Sequence, residues 1–147
     1  MSGDLTNLIR QEVARALAGL HPTVGTVASY DPNAHASKIT HQPDGLESGW
    51  APHVVHTAGG TSLVTGPGVG DQAVIAYLDG DRENPVVLGY LHSDKDRAPT
   101  AASGATTLQF KGGSITVSPS GAVSISTSGG VTVSGSTVKI TGTVNVN

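Results

Sequence analysis

The chain has 147 residues, room for one ordinary domain with extensions and too little for two full enzyme domains. Aromatic residues make up 3% and charged residues 13%, while glycine reaches 20 and Ser, Thr and Val crowd the C-terminal half, a profile of short strands and frequent turns. A formal charge of -3 and a pI near 6.0 supply no basic field for nucleic acid or anionic lipid, and the absence of cysteine excludes disulfides, thiolate metal sites and cysteine nucleophiles.

At the N-terminus, Arg10, Glu12 and Arg15 interrupt the apolar residues, so neither a cleaved signal nor a membrane span is expected. The apolar residues Leu5, Leu8, Ile9, Val13, Ala16, Leu17 and Leu20 recur at steps of three and four, which predicts an amphipathic helix within residues 1–22. Asp4 is its expected N-cap, and Gly19 with Pro22 its expected stop. The stripe needs a partner, because a helix of this length is marginal alone. Its own domain, copies of itself and a hub protein all meet that need.

Residues 23–93 change to alternating or β-branched runs, at Thr23 to Tyr30, Thr61 to Thr65, Gln72 to Leu78 and Pro85 to Leu91. Turn signals separate them: Asp31-Pro32-Asn33, Gln42-Pro43-Asp44-Gly45, Gly66-Pro67-Gly68 and Asp79-Gly80-Asp81. A small closed OB-like barrel is the expected body, since closure hides the sheet edges. Residues 94–103 are polar, contain Pro99 and read as a connector.

Residues 104–147 repeat a pair of apolar residues two apart: Leu108 and Phe110, Ile115 and Val117, Val123 and Ile125, Val131 and Val133, Val138 and Ile140, Val144 and Val146. First members are spaced by 7, 8, 8, 7 and 6 residues, with glycine-bearing turns between. A strand showing two side chains on one face cannot bury them alone, and about 45 residues are too few for a single-chain β-helix. Three chains wound around one axis would place all twelve side chains in a shared core, so an intertwined triple-stranded β-helix is expected, a needle about 30 Å long at a strand spacing near 4.8 Å. A fibrous stalk or adhesin shaft has the same repeat.

Several stretches together resemble the phage baseplate assembly protein V family of tail spikes, related to the spikes of type VI secretion and other contractile injection systems. They are Gly25-Thr26-Val27 through Asp31-Pro32, Asp44-Gly45-Leu46-Glu47-Ser48-Gly49-Trp50, Pro67 through Ile75, and Gly80-Asp81 through Pro85-Val86-Val87-Leu88-Gly89-Tyr90. The resemblance implies an OB-fold barrel, a homotrimer seated on a baseplate hub protein at the barrel end, and a tip that leads the tail tube through the host envelope. It places the protein in the virion, on the tail baseplate. Relatives that end in a His-x-His pair bind iron there. No histidine lies beyond His92, so no apical metal is expected, and the tip is blunt or carries a separate tip protein.

No catalytic, cofactor-binding or metal-ligating set stands out. His53 and His56 would point to opposite faces of a strand, and with His35 and His41 they are expected as surface or interface residues. Gly66 through Asp71 lacks the lysine of a phosphate loop and reads as a turn; Asp79, Asp81 and Glu83 lack a calcium-loop pattern. The expectation is a non-enzymatic spike that punctures the host envelope mechanically. A structural fibre, or the spike of a phage-like bacteriocin or type VI-type system, is the alternative.

Overall fold

The computed structural model describes residues 2–18 and 21–147, in two compact units, Met1–Ala98 and Pro99–Asn147. Helix α1 spans Ser2–Ala18. Asp4 is not its N-cap but lies in its first turn, where a carboxylate faces the positive end of the helix dipole; Arg15 occupies the last turn and pairs with Glu12 at 3.1 Å. The expected stop at Gly19 and the contact residue Leu20 lie outside the described residues. No described helix is long and apolar enough to cross a membrane.

The strands of the first unit form one antiparallel sheet of β1 (Thr23–Asp31), β2 (Ala36–His41), β3 (Ala51–Pro52), β4 (Gln72–Tyr77) and β5 (Pro85–Leu91), in the order β3-β2-β1-β4-β5, with a 3-10 turn at Leu78–Gly80 between the last two. Alternation is clearest in β4, where Ala73, Ile75 and Tyr77 are buried and the residues between are not. These three join Val27, Ile39, Ala51 and Val87 in a single core. One extra residue in β1, between Val27 and Ser29, and another in β5, opposite the step from Val74 to Ile75, bulge those strands and bend the sheet around that core. Gly25 is required where β1 crosses β2: a Cβ there would meet Ile39 Cγ2 at 2.5 Å and the Thr40 carbonyl oxygen at 2.6 Å.

The turns follow the polar residues that announced them. Asp31 Oδ1 accepts from the Asn33 and Ala34 amides, and Asp44 Oδ1 from the Leu46 amide. The Asp81 carboxylate receives the Glu83 amide and the Asn84 side chain. The glycine-rich segment before β4 is a turn whose Gly68 amide donates to the Asp71 carboxylate, while the Gly70 amide donates to the Val27 carbonyl.

The expected closed barrel is not formed. Strands β3 and β5 bound the sheet, and instead of a ladder between them there is one isolated parallel bridge, from His53 just past β3 to Val87 of β5, so the sheet remains open. The reason is local: β3 has two residues, too few for a ladder on both sides. The Thr61–Thr65 run, expected as a strand, has no ladder partner and lies in the segment between β3 and β4.

The second unit holds a three-stranded antiparallel sheet, β6 (Thr106–Phe110), β7 (Gly113–Val117) and β8 (Val123–Thr127), in chain order. It corrects the expected intertwined triple-stranded β-helix, because these strands bond to each other within one chain. The turn-forming residues between them favour that local pairing: Gly112 and Gly121 adopt positive φ of 90° and 87°. Residues 128–147 form no strand, so the apolar pairs from Val131 onward repeat in sequence without a ladder.

Candidate functional site

Register gives the second sheet its chemical character. Leu108 lies opposite Ile115, and Ile115 opposite Ile125; Thr106, Val117 and Val123 form the next row, and Phe110, Gly113 and Thr127 the last. Directly opposed residues share a face, so one face carries Leu108, Phe110, Ile115, Val117, Val123 and Ile125. The other carries Thr107, Gln109, Ser114, Thr116, Ser124 and Ser126. A slip of one residue would exchange the faces. Gly113 holds the register closely, since a Cβ there would collide with the Ser126 carbonyl and stand 2.9 Å from Thr127 Cα, and the Phe110 ring covers the gap.

Within its own unit that apolar face is uncovered. Ile115 is partly buried, and exposure of the other apolar pair members runs from 36% for Val117 to 89% for Val146. The later pairs Val131 and Val133, Val138 and Ile140, and Val144 and Val146 are likewise exposed. The described α1 stripe residues are exposed too: Leu5, Leu8, Ile9, Val13 and Leu17 lie between 47% and 60%, and Ala16 is exposed. Contiguous apolar surface of this extent marks an interaction face.

A second feature was not legible as a cluster from the sequence. Register pairs Ala36 with Pro52, which sets His35 opposite His53 at the next step. The two imidazoles lie 4.3 Å apart between centroids, with Tyr30 and Tyr90 each 5.7 Å from His53. Ser37, fully buried, places Oγ 2.9 Å from His53 Nε2, and the Tyr90 hydroxyl lies 3.1 Å from the same nitrogen. The Tyr30 hydroxyl is 2.9 Å from His35 Nδ1. His35 takes the left-handed φ of 48°, at a cost of about 1 kcal/mol or more, and its carbonyl accepts the His53 amide at 3.2 Å.

Burial first, and then the His35 charge, hold His53 down to about 4. Tyr90 is pushed up to about 12, chiefly by burial, with Asp71 and Tyr30 adding to the rise and a Ser37 hydrogen bond opposing it. His41, remote from this cluster and 3.4 Å from the Tyr77 hydroxyl, is lowered by burial and by Arg82, against Asp44. His35, His53 and His56 line one groove of about 300 Å³ with Leu63 and Tyr90. Among the described residues, no three His, Asp or Glu side chains gather in a metal-ligating arrangement.

Residues 23–92 match the family described as the type VI secretion system/phage-baseplate injector OB domain, and the chain is thereby related to the phage baseplate and tail-spike proteins. It is similar to the spike protein of Escherichia phage P2, 29% identical over 105 residues, which are 71% of this chain and 48% of that protein. The chain thus spans about half the length of the curated relative it matches.

Proposed function

We propose that the protein is the central spike of a contractile phage tail baseplate and acts as a homotrimer that punctures the host envelope mechanically. The observation that carries this reading is the two-faced second sheet on a chain related to baseplate spikes. Three copies that turn Leu108, Phe110, Ile115, Val117, Val123 and Ile125 toward a common axis remove that surface from water and leave the Ser and Thr face outside. The pairs from Val131 to Val146 extend the same shared core toward the C-terminal end.

In this reading the first unit, with its own core, transmits force from the baseplate hub, and the α1 stripe seats the spike on its neighbours. The role is structural and needs no catalytic group or cofactor. Similarity to the P2 spike protein favours a phage tail over a secretion apparatus. A separate tip protein at the C-terminal end and transient contact with the host envelope complete the arrangement.

Light scattering on the purified chain tests the assembly. The expected mass is three times the 14.7 kDa of one chain, and a monomer at micromolar concentration contradicts the proposal. Tails assembled with the Ile125→Asp variant are expected to adsorb without delivering their contents; normal delivery removes the piercing role.

A further inference from the structure

Among the described residues, the two edges of the open sheet are bridged at one place. Past β3, His53 bridges Val87 of β5, and the Val54 amide donates to the Val87 carbonyl at 2.9 Å. The His53 amide is tied to the His35 carbonyl, and the His53 ring is wedged among side chains from every neighbouring element. These are Tyr30 from β1, His35 from the β1–β2 turn, Ser37 from β2 and Tyr90 from β5. His56 stands on the same groove wall, and Asp71, at the foot of β4, acts on Tyr90.

Among the described residues, no carboxylate hydrogen-bonds to either imidazole of the pair. A neutral ring with its proton on Nδ1 keeps Nε2 as an acceptor for a hydroxyl there; a charged ring loses that acceptor, is half-desolvated, and faces a second imidazole at 4.3 Å. We infer that the joint between β3 and β5 is an acid-labile latch, in which protonation of His53 expels its ring from the His35–Ser37–Tyr90 pocket and frees the segment 54–65, while the turn at 66–71 stays tied to β1 and the sheet stays folded. The freed segment carries Val54, Leu63 and Val64, all exposed apolar side chains, and contains Gly59-Gly60, where no Cβ restricts the backbone. Acid would therefore change the side surface of the first unit, a property independent of the trimer.

The sign follows from linkage. The ring binds its proton more weakly in the closed joint than in the open one, so the joint is firm above pH 6.5 and loosens as pH falls from there toward about 4, where burial and then the His35 charge hold the closed ring. The test is amide exchange on the full chain at pH 7 and pH 5, corrected for the intrinsic rate, with the His53 ring followed by NMR. Protection of the Val54 amide is expected to fall on the order of tenfold between those pH values. The Ile75 amide should be unchanged, and the His53 ring should titrate well below 6.5. In His53→Gln, which keeps a polar group and cannot gain charge, the difference between pH 7 and pH 5 should vanish. A Val54 amide equally protected at both pH values, or a His53 ring that titrates near 6.5, overturns the latch, and both readings come from the unaltered chain.

Discussion

The two sheets of this protein obey the same alternation and reach opposite ends. In the first unit, Ala73, Ile75 and Tyr77 point into a space filled from other strands by Val27, Ile39, Ala51 and Val87, so the chain completes its own core. In the second, Leu108, Ile115 and Ile125 align as well across their strands, yet nothing in the unit lies opposite them. Bulges make the difference: two of them bend the longer sheet around its apolar side, whereas the ladders of the shorter sheet run in unbroken register. Alternation therefore specifies a face, and what covers the face is decided by curvature and by other chains.

Substitutions sharpen that contrast. Ile75→Ala, at a fully buried position, should cost the first unit about 3 kcal/mol in a denaturant melt. Gly25→Ala should cost about 2 kcal/mol, because one of its two collisions is with backbone and cannot be relieved by a rotamer change. Ser37→Ala strips a hydroxyl partner from His53 and should cost about 1 kcal/mol. Ile125→Ser should leave the first unit within about 0.5 kcal/mol of its original stability while lowering the mass seen by light scattering. An equal loss of stability for Ile75→Ala and Ile125→Ser would erase the distinction between the two sheets.

Acid supplies a milder perturbation of the same kind. His53 is held at about 4 in the folded chain against an ordinary value of 6.5, so its contribution to stability is complete above 6.5 and drains away as pH falls toward 4. A melt series from pH 7.5 to 4.5 should show stability declining in that window, and His53→Gln should flatten the part due to this residue.

Local features were the readable ones. The helix, β4 and β5 followed from periodicity, and the turns at Asp31, Asp44 and Asp81 from carboxylates that now cap nearby amides. Features that depend on distant pairing were not readable. Thr61–Thr65 has strand composition but finds no strand to join, and the two residues of β3 are too short to announce themselves. Closure of the barrel was inferred from the need to hide edges, whereas here a single bridge at His53 and Val87 joins the two sides and the sheet stays open. His35 and His53 look unrelated in sequence; only the Ala36–Pro52 register sets them face to face. That register was the missing signal, and a strand of two residues could not supply it.

Because the chain has no cysteine, one introduced thiol reports on one face of the second sheet without background. The direct measurement compares maleimide reaction rates of the full-length Ile125→Cys and Ser124→Cys variants, neighbours on opposite faces of β8. The account expects the thiol at position 125 to react at least about tenfold more slowly, covered by the other copies, while the thiol at 124 reacts as a free surface group. Equal rates at the two positions would mean that nothing covers the apolar face, and the trimeric spike would lose its foundation.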